Sequence, residues 1–507
     1  IDDFWETLES SIVNADMVYF GGVECWRSTN GGASFAKING WGEYYGSPAT
    51  KLHADLPGMN AVWDDGQEIL YIATDGGLYR SDDQGASVAN ISLVNLGVSQ
   101  YYTTLTTVND PDLILAGAQD QGYQRSNGNL VGTLHDFDQL ISGDYAHLTS
   151  WNGGHGRVYS VYPGFMLIQQ GESFPTLHTA DFPPGESYPW LPYIQAAPSN
   201  PNAVYFCARY LYRYDRVGPG TWTPTQLPHD FSGGGGEFLS AIAFSPGDTT
   251  RWVGVTNTGT IWYSTDRAGT WTESVNNGPG QMYLYGTAIA ASPNDADEFF
   301  VGGSGYSSPG VYGSEDGGAT WQPKSAGLPS TMVYELAYEK TGSGFVYAAT
   351  EAGPYQFDPG TEVWSAIAGA DAPLTTYWCV EAVPAAGVMR FGTYGRGIWD
   401  FDYSIATTIA DTPAPVRQLA LTNAPNPFNP RTTVRFHLAE QGVASLGIFT
   451  ATGRLVRTLV ANHLPAGDHA IEWSGQNDAG HDVASGVYFA RLEYGGQAAK
   501  RRLVLVR

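Results

Sequence analysis

Cysteine is nearly missing from this chain of 507 residues, with three in all, Cys25, Cys207 and Cys379. They are odd in number and form no CxxC pair, so neither a disulfide framework nor a thiolate metal site follows, and each reads as a small buried apolar residue. Cations are scarce as well: 25 Lys and Arg stand against 50 Asp and Glu, a net charge of −25. From Val416 onward ten basic residues face six acidic ones, so the first 415 residues hold 15 basic and 44 acidic groups. A body that acidic repels phosphate backbones, which argues against nucleic acid as a partner. No run approaches the ~18 apolar residues of a membrane-spanning helix. GxSxG, HExxH, a Walker loop and the dinucleotide fingerprint are all missing, which removes the hydrolase, metalloprotease and nucleotide-binding classes that depend on them. The chain opens at Ile1 with no charged-then-apolar export signal, and it reads as a processed or truncated piece of a longer precursor.

Glycine (63), tyrosine (31) and tryptophan (15) are plentiful, while charged residues make up 15%. That balance predicts many short strands, tight turns and aromatic packing. One phrase recurs: an apolar strand, a Gly- or Asp-bearing turn, and a second strand ending in an aromatic. Its copies begin at Val18, Leu70, Leu113, Val158, Val204, Trp252, Phe299, Val346 and Met389, at intervals of 43 to 52 residues. The period is that of a four-stranded propeller blade. The expected fold class is all-β, a large β-propeller over residues 1–402 with about nine blade repeats, forming one large ring or parts of two. An Ala-, Thr- and Pro-rich stretch, 403–415, reads as a linker. Residues 416–507 alternate apolar and polar positions between Gly-marked turns, and a small Ig-like β-sandwich is expected there.

Four hairpins are followed by Ser-x-Asp-x-Gly-x-Thr-Trp or a worn copy of it. The fullest is Ser314-Glu-Asp316-Gly-Gly-Ala-Thr320-Trp321. Ser264-Thr-Asp266-Arg-Ala-Gly-Thr270-Trp271 shifts its glycine, Ser28-Thr-Asn30-Gly-Gly-Ala-Ser34-Phe35 replaces Asp and Trp, and Ser81-Asp-Asp83-Gln-Gly-Ala-Ser87-Val88 loses the aromatic. The motif resembles the Asp-box, or BNR repeat, of sialidases, sortilin-type receptors and xyloglucan-cleaving glycosidases. Its expected role is structural: Ser and Asp side chains accept from backbone amides and the aromatic packs between blades. The Arg triad of a true sialidase is not recognisable.

The tail carries a second resemblance. Asn426-Pro-Phe-Asn-Pro430, Thr452-Gly-Arg-Leu-Val456, Trp473-Ser-Gly475, Ala484-Ser-Gly-Val-Tyr488 and the basic Lys500-Arg-Arg502 resemble the C-terminal sorting domain of type IX secretion cargo, a module similar to the Ig-like domain of flagellar hook-capping proteins. The resemblance implies the type IX secretion machinery as partner, and a location secreted from or attached to the outer surface of a Gram-negative bacterium.

Leu52-His53-Ala-Asp55, Thr74-Asp75-Gly-Gly77, Gln119-Asp120-Gln-Gly122 and Ser142-Gly-Asp144 depart from plain repetition. In that order they resemble a secreted propeller family with His-Ala-Asp, Asp-Gly-Gly, Gln-Asp-Asn-Gly and Gly-Gly-Asp segments, and Thr74–Arg80 is similar to a xyloglucanase segment whose Asp is catalytic. Asp75 and Asp144 are candidate catalytic carboxylates, an acid and base pair for glycoside hydrolysis. Asp55, Asp75 and Asp120 are candidate ligands for a hard cation such as calcium. His53, Asp55, Asp120, His147 and Trp151 are candidate binding residues, and exposed Tyr101, Tyr102, Trp190 and Tyr193 fit a binding face. The plainest reading of these aspartates is as turn caps. The favoured function is a binding or interaction module for carbohydrate or a surface protein. Against it stand a polysaccharide-active glycoside hydrolase and a structural component of a surface layer or filament.

Overall fold

The computed structural model describes residues 7–64, 66–92, 96–131, 134–172, 175–186, 188–275, 288–306, 309–369, 372–403, 421–424, 428–438, 441–450, 454–494 and 497–505. It falls into two compact units that part after residue 406. The expected linker, from 404 on, lies outside the described residues, as do Pro425–Pro427 and the Thr452-Gly453 turn of the tail.

The larger unit is a succession of antiparallel sheets, four-stranded in the first eight and three-stranded among the described residues in the ninth, numbered here as blades 1 to 9: 7–37, 58–90, 101–141, 146–181, 194–230, 239–273, 289–323, 333–366 and 377–402. Each recurring hairpin of the sequence is the middle pair of one blade, as in Val346–Thr350 with Gly353–Asp358. The second strands Ala203–Cys207, Trp252–Thr256 and Val346–Thr350 are buried at every position. They are sandwiched between neighbouring blades on both faces, which explains why they read as unbroken apolar runs. Several fourth strands are short and exposed, Thr272–Glu273 and Gln322–Pro323 among them. Such brief, polar or Pro-bearing edges leave little for another chain to pair with.

The nine blades do not form one ring. The first strands of blades 3 to 9 pack in sequence, and Tyr377–Val383 of blade 9 then packs against Tyr101–Thr107 of blade 3, so seven blades close. Blades 1 and 2 pack on each other through Thr7–Ser10 and Gly58–Asp64, as a separate pair. Blade 9 has three paired strands among the described residues, where a strand borrowed from the N-terminal side would be the expected means of closure, and closure takes another form. It comes from an isolated bridge between Gln100 and Tyr394 and from side chains. The Glu381 carboxylate accepts from the Thr106 amide at 2.9 Å and from its hydroxyl at 2.7 Å. Buried Arg390 donates to Thr106 Oγ1 at 2.7 Å and to the Pro111 carbonyl at 2.9 Å while forking onto Asp400.

The smaller unit is a sandwich of two sheets. Leu421–Ala424, Thr432–Leu438 and Gly467–Trp473 form one, and Leu455–Leu464, Gly442–Thr450, Gly486–Tyr494 and Gln497–Leu505 the other. Trp473 is fully buried between Phe428 and Tyr488, with Leu446, Ile448, Leu492 and Leu503 completing the core. No helix among the described residues is long and apolar enough to cross a membrane.

Candidate functional site

The Ser-x-Asp turns share one geometry. In blade 7, Ser314 Oγ donates to Asp316 and accepts from the Gly318 amide, while Asp316 accepts from the Thr320 amide and hydroxyl. Ser264 with Asp266, and Ser81 with Asp83, repeat the pattern; Asn30 reproduces its Oδ1 half toward Ser34. In the blade 7 copy, the two positions after Asp316 are glycines at φ +72° and +93°. The shifted copy keeps the same turn by forcing Arg267 and Ala268 to φ +60° and +64°, a region costly for any side chain. Trp321 inserts among Val253, Val255 and Phe299, and Trp271 packs on Phe231, so each ring lies between its own blade and the preceding one. Phe35, at the matching position of blade 1, is 40% exposed.

The distinct region assembles where the blade pair meets the ring. Asp75 and Gly76 form the two-residue turn between Gln67–Thr74 and Gly77–Ser81. A Cβ on Gly76 would stand 2.5 Å from the His53 ring, and one on Gly77 2.1 Å from Ser92 Oγ, so this hairpin needs both glycines to close on its neighbours. Asp55 precedes the first strand of blade 2, Asp120 sits in the three-residue hairpin of blade 3, and Asp144 precedes Ala146–Thr149 of blade 4. The Asp75 amide donates to the Asp55 carbonyl at 3.1 Å, and Gln121 Nε2 reaches the Gly76 carbonyl at 3.4 Å. The Asp120 amide donates to Asp144 Oδ1 at 3.1 Å, and His53 Nε2 lies 3.7 Å from Asp120 Oδ1. Tyr44 meets the His53 ring edge-on at 4.6 Å, and its hydroxyl accepts from Gln139 Nε2.

Burial and mutual repulsion set the electrostatics. The Asp120 carboxyl is pushed up to about 7 by burial first, then by Asp144, Asp75 and Asp55. Asp75 is raised by burial, Asp55 and Asp144, and Asp144 by burial. Burial lowers the His53 imidazole, which favours its neutral form. Asp55 and Asp120 both hold left-handed backbone, at φ +60° and +56°. Left-handed backbone, like charges and desolvation thus coincide at one spot, a combination that functional sites collect.

His53, Asp55, Asp75, Asp120 and Asp144 are therefore brought together, though not around the ring axis alone: Asp55 and Asp75 come from the blade pair and Asp120 and Asp144 from the ring. Among the described residues no three His, Cys, Asp or Glu side chains are grouped to hold a metal ion, so Asp55, Asp75 and Asp120 do not form a calcium cage. Trp151 is exposed but follows Ala146–Thr149, whereas Asp144 precedes it, which puts the two at opposite ends of that strand. His147 lies apart from the carboxylates, against Tyr193 at 5.1 Å with Nε2 on the Leu191 carbonyl, and burial pushes it down to about 4. Tyr101 is buried, its hydroxyl on Gln124, and is not part of an open face; Tyr102 and Tyr193 are half-buried and Trp190 is exposed. The three cysteines are buried and unpaired.

Sequence reasoning passed over Tyr44, Gln139, Trp378, Tyr394 and Tyr334. The first two back His53 and Asp120 from positions with no motif of their own. The last three join Tyr102 at the starts of the first strands; a cavity of about 330 Å³ runs along those strands, from Tyr102, His147, Tyr193, Glu335 and Glu381 to the strand ends at Val108 and Val383. Burial, with Glu381 nearby, pushes the Glu335 carboxyl up to about 8. A run of aromatics at the start of successive first strands is the signal that could have found them.

Comparison with known proteins bears on the two units unequally. No curated protein matches the chain. PorZ of Porphyromonas gingivalis, an essential bacterial surface component of the type IX secretion system, aligns over 97% of this chain and 74% of its own at 13% identity, with a TM-score of 0.33. The β-propeller domain of Myceliophteria thermophila Cps50 (Swd1) aligns over 60% of this chain and 97% of its own at 12% identity, with a TM-score of 0.44. Likeness that shallow transfers no activity. Residues 429–497, by contrast, match the model of the FlgD Ig-like domain, in agreement with the Ig-like sandwich of the smaller unit.

Proposed function

We propose that this chain is an exported β-propeller whose task is binding, with the four-aspartate crevice between blade pair and ring as its ligand site. The observation that carries this reading is the convergence of His53, Asp55, Asp75, Asp120 and Asp144 from four separate loops, against burial and mutual repulsion. A scaffold selected for stability alone gains by dispersing such charges, so their gathering supports a ligand that uses them. The ligand classes that fit are carbohydrate, through carboxylate hydrogen bonds to hydroxyls, and a surface protein presenting cations.

The three Ser-x-Asp turns, with the partial Ser28-x-Asn30 copy, support an Asp-box propeller, since their hydrogen bonds are those the motif calls for. The tail motifs, together with the FlgD Ig-like match, support a sorting domain read by type IX secretion machinery and a destination outside the outer membrane. Deleting 416–507 in a type IX-competent host is then expected to strand the protein inside the cell, and export of the truncated chain would refute that role.

Binding is tested with the full chain on a glycan array and on immobilised cell-surface proteins, beside an Asp75→Asn/Asp144→Asn variant of unchanged melting temperature. A ligand held by the wild type and lost by the variant supports the crevice; equal capture of every ligand by both rejects it.

A second reading, glycoside hydrolysis, is favoured by one observation. Asp120, raised to about 7, can donate a proton near neutral pH beside carboxylates that accept one. Release of reducing sugar by the wild type, abolished in Asp75→Ala, Asp144→Ala or Asp120→Ala, would establish it, and no release from any polysaccharide tested would end it.

A further inference from the structure

Resting on the reading of this face as a ligand site, we propose that the ligand is an extended, uncharged polysaccharide that leaves the carboxylate crevice and lies along a row of aromatic rings crossing the ring face to blade 7.

The row is built by the blade repeat. Tyr102, Trp378 and Tyr334 each hold the second position of a first strand, in blades 3, 9 and 8. Asp144 stands two residues before the first strand of blade 4, and the blade 3 hairpin carrying Asp120 bridges to Gly143 beside it, so the strand starts and these hairpins share one face. Trp378 is the hub. Tyr102 meets it edge-on at 5.8 Å, Tyr334 stacks on it at 4.4 Å and 15°, and Tyr394 of the blade 9 hairpin stacks at 5.8 Å and 27°. Farther on, the Tyr306 hydroxyl of blade 7 hydrogen-bonds Glu351 of the blade 8 hairpin. The electrostatic neighbours join these pieces: Asp144, Asp120 and Tyr394 act on the Tyr102 phenol, and Glu351, Tyr306 and Tyr394 on that of Tyr334. At the crevice end, Tyr45 feels Asp120 and Asp144.

Both ends of the row are open, with Tyr45 48% and Tyr306 58% exposed, and Tyr394 beside the hub is 44% exposed. Rings left half in water and braced by their neighbours retain a flat apolar surface with a polar rim. A pyranose has the complementary shape, an apolar C–H face edged by hydroxyls, and ring faces, phenol groups and the carboxylates Asp120, Asp144 and Glu351 meet both parts of it. A protein partner would instead call for a closed apolar centre and basic anchors against these acids. The charge on the first 415 residues, 15 basic groups against 44 acidic, repels uronate or sulfate polymers, so an uncharged one is selected. The row passes from blade 3 through blades 9 and 8 to blade 7; its central rings are close-set, with Tyr102 and Tyr334 centred 5.8 Å and 4.4 Å from Trp378, so only a chain that reaches from Asp144 as far as Tyr306 uses all of it.

The test is isothermal titration of the full chain with soluble galactomannan, arabinoxylan, hydroxyethylcellulose and dextran, with polygalacturonate as the charged control. At least one uncharged polymer is expected to bind, with affinity rising from its trisaccharide to its hexasaccharide, and polygalacturonate is not. Tyr394→Ala and Tyr306→Ala are each expected to weaken hexasaccharide binding about tenfold and to flatten that rise with length. Asp120→Asn is expected to weaken short and long ligands alike. Failure of every uncharged polymer to bind overturns the proposal, as does preferential binding of polygalacturonate. Sugar binding lost in Asp120→Asn but untouched in both tyrosine variants overturns the row while leaving the crevice as a binding site.

Discussion

Arg390 is the side chain on which closure of the seven-bladed ring most visibly depends, and its removal gives the sharpest test of the architecture. It is 3% exposed, and its guanidinium ties blade 9 to blade 3 through Thr106 and Pro111 while forking onto Asp400 at 2.8 Å on both arms. Removing one partner of a buried pair costs about 3–5 kcal/mol. Asp400 is 39% exposed and rehydrates, and Thr106 keeps its bond to Glu381, so Arg390→Ala belongs at the low end, about 3 kcal/mol. With unfolding entropy of about 2 cal/mol/K per residue over a ring of roughly 300 residues, that loss lowers the melting temperature by about 5 °C. Arg390→Lys keeps the charge without the fork and is expected to fall between. Arg213→Ala, which breaks an exposed pair with Asp215, is the control and is worth at most about 1 kcal/mol. Differential scanning calorimetry reads the shift, and hydrogen exchange reads its place: amides of Tyr101–Thr107 should lose protection before those of Trp252–Thr256. Melting of Arg390→Ala within about 1 °C of the control, or exchange that rises equally in both strands, would refute closure through this contact.

Asp120→Asn is expected to stabilise the fold at pH 8 by about 2–4 kcal/mol and to lose that advantage at pH 4. A carboxyl raised to about 7 in the folded state makes the native protein bind the extra proton, so wild-type stability falls between about pH 4 and 7 and the amide variant escapes the loss; urea melts at both pH values decide it. Arg267→Gly should raise stability by about 1 kcal/mol, because glycine takes φ +60° without steric cost, and a lower melting temperature would contradict the strain assigned to that turn. Trp321→Ala removes a fully buried ring between blades 6 and 7 and should cost about 3–5 kcal/mol, measured by the same melts. Residues 407–507 expressed alone should give a cooperative thermal transition by circular dichroism, since the core around Trp473 is drawn from that unit itself.

Particular residues show how far the sequence could be read. The hairpin from Val204 to Asp215 was legible because a strand buried on both faces must be apolar at every position, and its partner must turn back at a marked place. The Ser314 to Trp321 turn was legible because its bonds span at most four residues. Trp151 and Asp144, close in the chain, lie at opposite ends of one strand, a separation that only the strand between them reveals. Tyr101 misled: period-2 alternation sends it inward and Tyr102 outward, but only the neighbouring blades decide which is which.

Composition, period and turn chemistry by themselves determined the strand class, the nine hairpins, the capped turns and the sandwich at the end of the chain, because each of these rests on contacts among near neighbours. The tertiary structure decided that seven blades close and two stand apart, because that choice lies in contacts such as Arg390 with Thr106, almost three hundred residues distant in sequence. It also decided that the crevice draws Asp55 and Asp75 from one body and Asp120 and Asp144 from the other. No local pattern encodes that meeting, since the repulsion that raises Asp120 exists only once the two bodies touch.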